Sequence, residues 1–161
     1  MNDPKTVAEH VGRGMLAEDA ASRGLGMQVE GIGPGHACMS MKVRPDMLNG
    51  FKICHGGFIT TLADSAFAFA CNSYNELTVA AGIVVDFVAP AKEGDLLTAQ
   101  AREVALAGRT GVYDVTVRNQ RGEVVAVLRG RSYRMKGKQV VPFPPDPGPL
   151  PQGGSELPGR S

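Results

Sequence analysis

The sequence predicts an α+β domain in which one antiparallel sheet wraps around a single long central helix. Three observations predict it. Residues 55–73, within C-H-G-G-F-I-T-T-L-A-D-S-A-F-A-F-A-C-N-S, read as one helix that is apolar on nearly every side. Two β-like runs precede that helix and four follow it. Turn residues punctuate the runs at Pro34-Gly35, Gly94 and Arg121-Gly122. A helix apolar all round must be enclosed, and a curled sheet on one core can enclose it.

In chain order, Val7, Val11, Met15 and Leu16 give a weak helical pattern over 4–21, which Gly24 and Gly26 end. Residues 27–33 and 36–43 form a hairpin, the second arm alternating through Ala37, Met39 and Met41. A loop with Asn49-Gly50 leads into the long helix. T-V-A-A-G-I-V-V-D-F-V-A-P is the first later strand, with Asp86 inside it, and D-L-L-T-A-Q-A-R-E-V-A the second. In T-G-V-Y-D-V-T-V-R-N, Tyr113, Val115 and Val117 take one face and Asp114, Thr116 and Arg118 the other. E-V-V-A-V-L-R-G-R-S-Y-R-M is the last. From Gly137 the composition turns Pro- and Gly-rich, so residues 1–136 are expected to be the domain and 137–161 a disordered or extended tail.

Composition sets bounds on function. The 161 residues suit one domain. With 17 basic and 16 acidic residues and no block of like charge, nucleic acid or an anionic membrane is not the expected partner. The N-terminus lacks an apolar run behind a basic head, which argues against a signal peptide. Thr60, Thr61, Asp64 and Ser65 interrupt the longest apolar segment, so it is not read as a membrane span. Cys38, Cys54 and Cys71 have no C-x-x-C spacing and read as free thiols in a reducing compartment. A cytoplasmic location is expected.

Two features of the long helix point to chemistry. Its start, His55-Gly56-Gly57, would present unpaired backbone N–H groups with no side chain in the way, which suits a developing oxyanion. A tight loop-to-helix turn would explain the same tripeptide. Asp64 stands alone in the most apolar helix, where an unpaired charge is expensive; a buried acid bonded to backbone, or one exposed where the sheet opens, is the alternative. Gly57 and Asp64 are seven residues apart, nearly on one face and about 10.5 Å apart along the axis. Within one chain they cannot share a reaction centre. Two copies of the helix running antiparallel across a two-fold interface would bring Gly57 of one chain to Asp64 of the other.

The stretch N-G-F-K-I-C-H-G-G-F-I-T-T-L-A-D-S-A-F-A-F-A-C-N-S resembles the signature of hotdog-fold acyl-CoA thioesterases, specifically the PaaI-like group of phenylacetate degradation. Asn49, His55, Gly56, Gly57, Leu62, Ala63 and Asp64 carry the pattern. The likeness continues in V-D-F-V-A-P-A-K-E-G-D-L-L-T-A, G-R-T-G-V-Y-D-V-T-V-R-N-Q and R-G-R-S-Y-R, spanning about residues 15–136. The resemblance implies a thioester hydrolase acting on aryl or arylacetyl-CoA, such as phenylacetyl or hydroxyphenylacetyl. Asp64 would activate water or attack directly, and Gly57 N–H of the facing subunit would polarise the carbonyl. Asn49 would hold water or substrate, and His55 would shape the loop. It also implies a homodimer with shared sites, paired into a homotetramer. Neither a cofactor nor a metal is called for, coenzyme A being part of the substrate. Glu18-Asp19 lies where related enzymes can carry a helpful Asn, and its role is left unassigned.

Other residues carry weaker readings. Gly56, Ser65 and Phe67 are candidates for the acyl pocket; Ser65 could instead bond its own helix, and Phe67 could be core. Arg109, Arg131 and Lys92 are candidates for the phosphates of coenzyme A. Cys54-His55 is a poor nucleophile pair, since neighbours in sequence rarely have the geometry. His10, His36 and His55 are too dispersed for zinc. Two rival functions stay open: an acyl-thioester hydratase or dehydratase, and a non-catalytic acyl-CoA-binding module on the same fold.

Overall fold

The computed structural model of the chain describes residues 3–143. Its elements follow the expected order. Helix α1 (Pro4–Glu18) starts on Asp3, whose Oδ2 accepts from Thr6 N–H at 3.1 Å, with Pro4 pre-set for the first turn. The single helix expected over 4–21 is two. Asp19 closes α1 and caps α2 (Ala20–Gly24), its carboxylate accepting from Ser22 N–H at 2.9 Å and Ser22 Oγ–H at 2.6 Å. A short acid that binds the backbone three residues on favours a new helix start over continuation.

Strands β1 (Gln28–Gly33) and β2 (His36–Lys42) form the hairpin, turned by Gly35 at φ 74°. One 3-10 turn, Pro45–Met47, precedes helix α3 (Gly56–Asn72). Then come β3 (Thr78–Phe87), β4 (Leu96–Ala107), β5 (Thr110–Arg118) and β6 (Val124–Arg134). They make one six-stranded antiparallel sheet in the order β1-β2-β4-β5-β6-β3.

The sheet bends around α3. Register shifts at Val29/Gly31, Ala80/Gly82 and Glu103/Ala105 place bulges in three strands, and bulges increase local bend and twist. The core lies between: Ile59, Leu62, Ala66, Phe67 and Phe69 of α3 are buried against Met39, Met41, Leu97, Tyr113, Val115 and Leu128. The approach is close at Gly130, where any Cβ would stand 2.8 Å from the Phe67 ring. No helix among the described residues is long and apolar enough to cross a membrane.

The first residues of the expected tail are part of the fold. Asn75 holds them: its Oδ1 accepts from Val140 N–H and Val141 N–H, and its Nδ2 donates to Val141 O at 3.1 Å. Val141 fills the space above Gly14 of α1, and His10 meets Phe143 edge to face with ring centroids 4.5 Å apart. The remainder of the tail lies outside the described residues.

Candidate active site

The start of α3 is built by His55. Its Nδ1 accepts from Gly57 N–H at 2.9 Å, which requires the neutral ring with its proton on Nε2. His55 is thus the helix cap as well as part of the loop. The Gly57 N–H is therefore engaged by its own chain. The Gly56 N–H, the first of the helix, has no partner among the described residues.

Asn49 fixes the loop before the helix. Its Oδ1 accepts from Phe51 N–H at 2.9 Å and Ile53 N–H at 3.4 Å, leaving Nδ2 without a partner among the described residues. The turn is tight enough to hold Lys52 at φ 63°, a costly conformation for a side chain of that size. Asn49, Ile53, Cys54, Gly56 and Ile59 line a cleft of about 570 Å³, completed by Phe87 and Val88-Ala89-Pro90 beyond β3. Burial pushes the Cys54 thiol up to about 11, so at neutral pH it is not a thiolate nucleophile.

Asp64 is half-buried on the α3 surface, and its carboxylate has no hydrogen-bond partner among the described residues. Desolvation raises its pKa above the ordinary carboxylate value. It does not line the cleft of its own chain. Next to it, Ser65 bonds neither Asp64 nor its own helix. Its Oγ meets Ser22 Oγ at 3.0 Å, and Ser22 in turn donates to Asp19, so this hydroxyl chain ties α2 to α3. That contact was not legible in the sequence, because nothing in the 43-residue spacing signals it.

Other expected site residues divide. Phe67 is wholly buried, packed on Gly130 and 5.5 Å from the Tyr113 ring centroid, so it is core and lines no cleft. Lys92 follows the cleft wall directly, with its backbone N–H on Asp95 Oδ2 at 2.9 Å. Arg131 lies over Gly82, about 16 Å along β3 from Phe87 at ~3.3 Å per residue. Arg109 sits beyond it, 6.0 Å over the Tyr133 ring. Within one chain, neither arginine reaches the cleft. Phe87 is among the lining residues that sequence reasoning missed, with Ile53, Ile59 and Val88-Ala89-Pro90; its only signal was its place in V-D-F-V-A-P. Among the described residues no group of three or more His, Cys, Asp or Glu side chains could hold a metal ion.

Strand β3 is an edge of the sheet, and it is apolar on both faces. Ile83, in register with Gly130, and Val84, in register with Arg129, lie on opposite faces and are both exposed. Val79, Phe87 and Val88 extend the patch. A long, exposed apolar edge is a template for pairing with another strand.

This fold and helix start agree with what the chain resembles. Residues 51–126 match the family model described as the thioesterase superfamily. The acyl-coenzyme A thioesterase PaaI of Escherichia coli is 42% identical over 123 residues, covering 76% of this chain and 88% of that protein. The solved structure of E. coli PaaI, from the phenylacetic acid degradation operon, superposes with a TM-score of 0.83 at 39% identity, covering 84% of this chain and 99% of that one. A Streptococcus mutans protein solved with acetyl CoA bound matches with a TM-score of 0.67 at 28% identity, covering 70% of this chain and 90% of that one. The chain belongs to the thioesterase superfamily, in the PaaI-like group of hotdog-fold acyl-CoA thioesterases. It is a thioester hydrolase.

Proposed function

We propose that the protein hydrolyses aryl or arylacetyl thioesters of coenzyme A at sites shared between two subunits, with Asp64 activating water. The observation that carries this is the separation of the two halves of the chemistry. The unpartnered Gly56 N–H and the unpartnered Asp64 carboxylate are eight residues apart on one helix, about 12 Å along its axis. Neither half is complete alone. The apolar β3 edge supplies a surface on which two copies could pair antiparallel, and a two-fold axis there sets one α3 against the other, head to tail.

In the proposed site, the thioester carbonyl oxygen accepts from Gly56 N–H of the partner subunit. Gly56 is preferred to Gly57 because His55 Nδ1 already takes the Gly57 N–H. Asp64 takes a proton from water as the water oxygen bonds to the carbonyl carbon. The C–S bond then breaks, and Asp64 returns the proton to the departing coenzyme A thiolate. The products are the free acid and coenzyme A. Asn49 Nδ2 is available to hold the water or the acyl carbonyl, and His55 keeps the helix start in shape. The chemistry is complete with a carboxylate, a backbone donor and water, so no cofactor or metal enters the proposal.

The same antiparallel pairing would carry Arg131 and Arg109, at the Thr78 end of β3, toward the cleft of the partner. There they join Lys92 as phosphate contacts. The arylacetyl preference draws on the E. coli PaaI likeness and on the apolar cleft.

Thiol release from a panel of acyl-CoA thioesters tests the proposal. Arylacetyl-CoA is expected to turn over fastest, and Asp64→Asn to cost on the order of 10²–10⁴-fold in kcat. Full activity in Asp64→Asn would overturn the assignment of the base.

A further inference from the structure

The geometry points to Phe87 as the residue that selects an aromatic acyl group. This rests on the reading that the cleft at the start of α3 takes the acyl carbonyl. Among the residues lining that cleft, Phe87 supplies the only ring. Its tip faces Gly56: Cζ stands 2.8 Å, and Cε1 and Cε2 3.1 and 3.3 Å, from where a Cβ on Gly56 would be. A carbonyl oxygen on Gly56 N–H places the acyl substituent two bonds further on, within reach of that ring. The ring meets Gly56 by its tip, and in the single chain the residue is 55% exposed.

A wall that selects must also be rigid. Phe87 is in register with Ala126 of β6, and the two N–H groups after it, Val88 and Ala89, both donate to Val125 O, at 2.8 and 3.2 Å. The backbone is fixed on both sides of the residue. Ile53, Ile59 and Pro90 make the rest of the wall apolar but not aromatic. They would hold any acyl chain alike. Offset or edge-to-face ring contact is the one interaction here that separates a phenyl group from an alkyl chain of equal bulk. Phe67, the other candidate for this part, is enclosed by Gly130 and Tyr113 and touches no cleft. A glycine at 56 is also explained, since only hydrogen leaves room for the ring tip.

The test compares kcat/KM for phenylacetyl-CoA and cyclohexylacetyl-CoA in wild type and Phe87→Leu, with the oligomeric state of each protein measured by sedimentation. Leu keeps the apolar bulk and loses the ring; the cyclohexyl group keeps the bulk of the phenyl group and loses its aromatic faces. The phenylacetyl to cyclohexylacetyl ratio is expected to fall roughly threefold to tenfold in Phe87→Leu. If Phe87→Leu lowers both substrates equally, or neither, the ring only covers the helix start and the proposal is overturned. If wild type cleaves neither thioester, the acyl-CoA reading fails together with it, an outcome distinct from an unchanged ratio in an active enzyme.

Discussion

The environment of Asp64 links stability to the activity proposed for it. Burial without a partner raises its pKa, so the folded chain holds that proton more tightly than the unfolded chain does. Two consequences have definite signs. The proposed mechanism needs the carboxylate, so kcat/KM is expected to fall as pH drops through the raised folded value, giving an acid limb above the ordinary 3.8. Stability moves the other way. Between the unfolded and folded values the native state binds more protons, so stability declines as pH rises through that window and the penalty is full above it. Asp64→Asn is expected to abolish the acid limb and raise the thermal midpoint at neutral pH, measured by scanning calorimetry. A lower midpoint would show that Asp64 is a structural acid. The position of Asp64 was legible because a lone acid in an apolar helix breaks its pattern. The engagement of Gly57 was not, because whether a histidine caps its own helix depends on a side-chain rotamer. The sequence singles out the glycines without saying which N–H is left over.

At the scale of elements, periodicity predicted nearly every strand. The clean alternation at Tyr113, Val115 and Val117 put those residues in the core, where the structure has them. Helix α3 was legible to within one residue of each end, since only enclosure accounts for its apolar surface. The break at Asp19 was missed, because the weak apolar pattern runs through it and only the carboxylate's bonds to Ser22 reset the helix. Strand β3 is where pattern and environment part. T-V-A-A-G-I-V-V-D-F-V-A-P is a long apolar run, yet it forms an exposed edge of this chain. The conflict is resolved if a second copy covers it. Val84→Lys, on the face away from α3, is expected to split the proposed dimer in sedimentation and remove most thioesterase activity while leaving far-UV circular dichroism unchanged. An active monomer would separate the site from this edge.

For the whole molecule, the fold does not stop at residue 136. Val140 and Val141 are bound to Asn75, and Phe143 meets His10 on α1. Composition alone drew the boundary too early because Gly137 begins the Pro-rich shift, while side chains further back in the chain hold the segment down. The largest claim at this scale is that each active site takes Asp64 from one subunit and Gly56 N–H from the other. Mixing two inactive variants tests it most directly. Asp64→Asn removes the base. Gly56→Pro removes the N–H at the first helical position and its ring also crowds the Phe87 tip, so it disables the Gly56 half of the site. In a shared site, a mixed dimer rebuilds one intact centre and leaves the other with both defects. Half the dimers are mixed after random exchange and half their sites are intact, so activity is predicted to recover to about a quarter of wild type. No recovery, with subunit exchange shown by mass spectrometry, would contradict the shared site.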